Sequence, residues 1–358
     1  MKKTLLSLAA AASMLALAAT AAEAKVKACF IYVGPIGDFG WSYQHHQGAL
    51  AAQKALGGEE QVELAYSESV PEGADAERVL ERYARSGCNI IFTTSFGYMD
   101  ATNAVAGKFP DVKFEHATGF KREHPNVATY NSRFHEGRYV QGVIAAKMSK
   151  AGVAGYIASF PIPEVVMGIN AFVLGAQSVN PDFKVKVVWA NTWFDPGKEA
   201  DAAKALIDQG VDIITQHTDS TAPLQVAAER KIKGFGQASD MIKFGPETQL
   251  TSIVDNWGPY YTERVKAVID GNWAQVDIWG GMDHGHVVMA PYTNMPDDVK
   301  AAAMEAEAKI KAKTFDPFTG PIMKQDGSEW LKAGEVAEPG VLLGLNFYVK
   351  GVDDKLPQ

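Results

Sequence analysis

Short apolar runs alternate along this chain with stretches whose apolar positions recur three and four apart. The first run, Ala28-Cys29-Phe30-Ile31-Tyr32-Val33, is apolar throughout, as a strand buried on both faces must be. Helical spacing follows at 43–52. Strands are then expected at 61–67, 89–94, 112–116 and 127–130. Helices are expected at 74–85, where Ala76, Val79, Leu80 and Tyr83 share a face, at 102–108, and at 134–150, which is rich in Ala and Gly. The rhythm restarts with strands at 152–158, 183–190, 211–215, 233–236 and 250–255. These alternate with helices at 164–179, 197–209, 222–231 and 259–270. After Trp273 the pattern is mixed, with a strand at 286–290, a helix at 296–313 and a strand near 345–349.

Strands alternating with helices imply mostly parallel sheets covered by helices, an α/β fold. The restart near Ala151 splits the chain into lobe 1 (25–150) and lobe 2 (151–272). Residues 273–358 cross between the lobes and complete them. Two similar lobes without a low-complexity linker suggest a hinged pair with a cleft.

Residues 1–24 stand apart. Lys2 and Lys3 precede an apolar run at 5–17, and Ala22-Glu23-Ala24 fits a small-x-small cleavage site. This reads as a secretory signal. No cysteine follows for a lipid anchor, so an exported, unanchored protein is expected. The formal net charge is −8, and cleavage would make it about −9. An acidic surface argues against nucleic acid as a partner. The two cysteines, Cys29 and Cys88, fall at the start of strands expected to be neighbours. They are either two buried thiols or a disulfide.

In open α/β sheets, ligands bind beyond the carboxyl ends of the strands. Lobe 1 offers Asp38, Phe39, Trp41, Ser42, Phe96, Gly97, Tyr98, His116 and Thr118 there. Lobe 2 offers Phe160, Trp193, Phe194, His217, Asp219, Asp240, Asp255 and Asn256. Any one aromatic could simply cap its own core. Trp41 and Trp193, on opposing lobes, suit a clamp on a flat ring, with Asp219 or Asp240 accepting from its N–H groups. Asp219 alone could be a helix cap. Catalytic patterns are missing. Gly34-Pro35-Ile36-Gly37-Asp38-Phe39-Gly40 has the wrong spacing for a dinucleotide loop, and no P-loop or GxSxG turn occurs. His45 and His46 diverge on a helix. His284 and His286 would share a face of a strand, but two surface histidines do not make a metal site. No enzyme, cofactor or metal is expected.

Several segments together carry a family resemblance. They are Gly37-Asp38-Phe39-Gly40-Trp41-Ser42, Glu136-Gly137-Arg138-Tyr139-Val140-Gln141-Gly142, Asn170-Ala171-Phe172-Val173-Leu174-Gly175-Ala176, and Trp193-Phe194-Asp195-Pro196-Gly197-Lys198. Asp208-Gln209-Gly210-Val211-Asp212-Ile213-Ile214 and Leu250-Thr251-Ser252-Ile253-Val254-Asp255-Asn256 complete the set. In order and spacing the chain resembles the basic membrane protein family of ABC-transporter substrate-binding proteins, which includes purine nucleoside receptors. The resemblance implies a two-lobed periplasmic-binding fold (type I) that closes on a small ligand and delivers it, as a monomer, to an ABC permease in the inner membrane. It implies a stacking role for Trp41, with Phe39 as rival, and for Trp193 or Phe194, and it makes Asp240 the late acid. Asp255 stands where nucleoside-binding members often carry a lysine, and Ser42 where they carry asparagine. A free purine base such as adenine is therefore expected in preference to a nucleoside. A sugar, another small polar ligand, a sensor role and a nucleoside-processing enzyme are the alternatives.

Overall fold

The computed structural model describes residues 25–357, so the signal segment expected at 1–24 lies outside the described residues. The chain opens with β1 (Val26–Ile31), α1 (Trp41–Ala55), β2 (Val62–Ser67), α2 (Ala74–Arg85), β3 (Ile90–Thr93), α3 (Met99–Ala106), β4 (Lys113–Ala117) and β5 (Val127–Ser132). It continues with α4 (His135–Met148), β6 (Val153–Ala158), α5 (Pro163–Gln177), β7 (Lys184–Trp189), α6 (Pro196–Asp208), β8 (Ile213–Gln216), α7 (Ala222–Glu229), β9 (Lys233–Gly236) and β10 (Gln249–Asp255). Next come α8 (Trp257–Ile269), β11 (Asp277–Gly280), β12 (Val287–Met289) and α9 (Asp297–Lys311). A small hairpin, β13 (Ile322–Met323) with β14 (Glu329–Leu331), and the short α10 (Pro339–Leu342) end the chain's regular structure.

Two six-stranded sheets result, ordered β11-β5-β4-β3-β1-β2 and β12-β10-β9-β8-β6-β7. All pairings within them are parallel except that of β10 with β12. The chain passes between lobes after β5, after β10 and between β11 and β12. The boundaries expected at 150/151 and 272/273 therefore move. Helix α4 belongs with lobe 2, where it packs on α5 so closely that a Cβ at Gly142 or Gly175 would strike the other helix's backbone. Its small residues thus serve a helix contact as well as the sheet. Helix α8 belongs with lobe 1. Trp257, Tyr260 and Tyr261 fill that core beside Phe30 and Phe92. Buried Glu115 on β4 fixes the helix, accepting from Tyr260 Oη (2.6 Å) and Arg264 Nε (2.7 Å).

Trp41 and Ser42, expected in the first loop, are the first residues of α1. No strand forms at 345–349; that segment instead packs Leu345, Tyr348 and Val349 into the lobe 2 core. His284 lies in a short 3₁₀ turn rather than a strand, so it does not share a strand face with His286. Cys29 and Cys88 form a disulfide.

Candidate functional site

Each wall of the interlobe cavity is a strand exit. Val33 follows β1, Ser95 and Phe96 follow β3, and Thr118 follows β4. From lobe 2, Ile162 and Glu164 follow β6, Trp193 follows β7, His217 and Asp219 follow β8, and Gln237 follows β9. Trp41, at the start of α1, completes the lining. The free space they enclose is small, about 30 Å³.

The lobes touch around this cavity. Ser239 Oγ donates to the Phe39 carbonyl, and Lys243 Nζ lies 3.6 Å from the centre of the Phe39 ring. Gly40 abuts the Asp219 backbone so tightly that a Cβ there would lie 2.9 Å from Asp219 Cα. This is the closed arrangement of a hinged pair.

Within the cavity, Trp41 is pinned by an Nε1–H bond to the Thr94 carbonyl (2.6 Å) and packs edge-on against Trp257. Trp193 stands edge-on to Phe160 with ring centres 5.1 Å apart, and its Nε1–H has no protein partner. His217 Nδ1 is likewise buried and unpartnered. Burial, then the nearby Arg138 cation, holds that imidazole well below its usual pKa, so it is neutral. Asp219 is 3% exposed; burial, then the Asp38 and Glu199 carboxylates, push it well above the usual range. Glu164, in the first turn of α5, is pushed up to about 7 by burial, with Arg138 opposing. Arg138 is itself buried and donates to Gln141, Thr215, the Gln216 carbonyl and Gln237. It thereby orients Gln237 at the cavity wall. The cavity thus presents aromatic faces, acidic acceptors and a neutral imidazole, a set suited to a flat ring with N–H groups.

Of the residues expected at the site, Trp41, Phe96, Thr118, Trp193, His217 and Asp219 line the cavity. The others have different work. Asp38 accepts from the backbone N–H groups of Gly40 (2.8 Å), Ser42 (3.0 Å) and Tyr43 (2.9 Å), satisfying the free donors at the start of α1. Its carboxyl is raised to about 6 by burial, against those same bonds. Ser42 Oγ accepts from Gly34 N and braces the loop. Phe39 makes the interlobe contact with Lys243 rather than a cavity wall. Gly97 sits against Glu72, and Tyr98 is core, its hydroxyl donating to the Val70 carbonyl (2.6 Å). Phe160 backs Trp193, and Phe194 lies over Gly34. Asp240 is exposed and accepts from Ile242 N and Gln249 Nε2, so the late acid is not at the cavity. Asp255 is fully buried, behind the wall rather than in it. Glu164, Gln237, Ser95, Ile162 and Val33 join the lining unforeseen. Each lies at a strand exit or helix start whose facing only the tertiary arrangement reveals.

Two lobes, each a mostly parallel sheet, closed over a small cavity form a small-molecule-binding fold. A sequence profile of the Bmp family, described as ABC transporter substrate-binding protein PnrA-like, matches residues 25–319. The chain belongs to this family of ABC-transporter receptors, which bind a small molecule and hand it to a permease. It is 69% identical to a purine-binding protein of Brucella abortus (strain 2308), over 94% of this chain and 95% of that one. It is 36% identical to a putative ABC transporter glucose-binding protein of Haloferax volcanii, covering 93% of this chain and 81% of the relative. A solute-binding protein of an ABC transporter system from Aeropyrum pernix K1 shares the fold, with TM-score 0.71 at 19% identity over 81% of this chain and 92% of that one. Among the described residues no helix is long and apolar enough to cross a membrane.

Proposed function

We propose that this receptor serves uptake of a purine-type ligand, and that it prefers a free base such as adenine to a nucleoside. The observation that carries this reading is the pairing of Trp41 and Trp193, one from each lobe, across a cavity whose acceptors are Asp219 and Glu164. Stacking on such faces contributes about 1–3 kcal/mol per aromatic, by analogy with base stacking. The acids match exocyclic amine and ring N–H donors. The preference for a base no longer leans on Asp255, which is sealed behind the wall. It leans on the small cavity volume. The name of the Brucella abortus relative supports the purine class. Export through residues 1–24, and action as a monomer, belong to the same proposal.

The name of the Haloferax volcanii relative favours a second reading, a sugar, because tryptophan faces stack on sugars as well. Calorimetric titration of ligand-stripped protein with adenine, adenosine and glucose separates the readings. One-to-one adenine binding at least about tenfold tighter than the other two is expected. Tighter glucose binding would replace the purine reading, and tighter adenosine binding would end the base preference.

A further inference from the structure

Beside the inner cavity lies a second, larger compartment of about 590 Å³. Phe96 and Thr118 of lobe 1 and Ile162 and Glu164 of lobe 2 line both spaces. The outer walls are largely apolar. Phe120, Met167, Ile278 and Trp279 form them, and Leu343, just past α10, closes them over. Phe120 and Leu343 are 61% and 46% exposed, a large apolar pair beside a ligand site. Apart from Glu164, the acidic and amide side chains of this compartment are already engaged. Asp277 accepts from Thr129 and pairs with Arg122, and Asn131 accepts from the Ser132 backbone N–H. A sugar placed here would find few partners for its hydroxyl groups, which is costly when they leave water. An alkyl or aryl group would find apolar walls.

We propose that the outer compartment is a subsite for an apolar substituent carried by the same ligand whose flat ring fills the inner cavity, so that the receptor takes purines bearing an alkyl or aryl group. This rests on the purine reading. The shared lining chooses the occupant: a substituent on a ring between Trp41 and Trp193 has the outer compartment as its way out past these four residues. Glu164 stands at the junction, where it meets the atom linking ring to substituent.

The test is calorimetric titration of ligand-stripped protein with adenine, N6-benzyladenine and 9-benzyladenine, since the ring can enter in either sense. At least one benzyl isomer is expected to bind roughly tenfold tighter than adenine or better, from burial of the phenyl group. Leu343→Asp, on an exposed position, is expected to remove that advantage and leave adenine affinity unchanged. Adenine binding with neither benzyl isomer tighter overturns the subsite and leaves the purine reading standing. An advantage that survives Leu343→Asp also overturns it, because the phenyl group then sits elsewhere. No binding of any of the three overturns both.

Discussion

Gly40→Ala tests lobe closure. Gly40 lies on lobe 1 immediately ahead of α1, with φ −113° and ψ −125°. In the closed protein the new methyl would meet the Asp219 backbone across the cleft, 2.9 Å from Cα and 3.0 Å from the carbonyl carbon. Carbon atoms in good contact sit about 3.5–4.0 Å apart. The lobes would therefore have to part locally by roughly 0.5–1 Å, and the obstacle is backbone that cannot swing aside. Overpacking of this size costs about 1–3 kcal/mol. Lobe closure bears that cost, so ligand affinity should drop roughly 5- to 150-fold at about 1.4 kcal/mol per decade, as read by calorimetry. An unchanged Kd would refute the reasoning.

Other substitutions probe the remaining parts. Trp193→Ala should weaken ligand binding by roughly 5- to 150-fold, the worth of one stacking face at about 1–3 kcal/mol; a loss below about threefold in calorimetry would mean the ring does not rest there. Glu164 is raised by burial to about 7, so the stability that its protonation gives is complete below pH 4.5 and is lost as pH rises to about 7. Glu164→Gln should therefore melt level with the parent near pH 4.5 and above it near pH 8, a divergence readable by thermal melts across pH; parallel curves would contradict the buried carboxyl. Replacing Cys29 and Cys88 together by alanine opens a link spanning 59 residues of sequence. In the chain-entropy view that costs about 4 kcal/mol, to be read from urea unfolding midpoints, and equal midpoints would deny the link a stabilising role.

Much of the architecture was legible because parallel strands buried on both faces leave continuous apolar runs, and the helices between them leave periodic ones. The rule that ligands gather beyond strand carboxyl ends pointed to Trp41, Phe96, Thr118, Trp193, His217 and Asp219, all of which line the cavity. What escaped is decided by contacts distant in sequence. Asp38 looked like a ligand acid, yet the loop turns its carboxylate onto the N–H groups of Gly40, Ser42 and Tyr43. An aspartate just ahead of a helix start is itself a capping signal, so that role could have been weighed. Glu164 escapes because nothing local says that the start of α5 faces the cleft. Helix α4 looked like a lobe 1 element because it follows that lobe's last sequential strand, while its Gly142 was in fact shaped for α5. Asp240 occupies the position the resemblance favoured, but it caps a 3₁₀ turn, with Gln249 Nε2 only 2.7 Å away.

The most direct test is a crystal structure of the stripped protein grown with adenine. The expected result is a closed molecule with the ring touching both Trp41 and Trp193, and a carboxylate oxygen of Asp219 or Glu164 within about 3.2 Å of a ring or amine nitrogen. A base bound outside this cavity, or on one lobe of an open molecule, would contradict the claim that the two lobes close on a purine between these tryptophans.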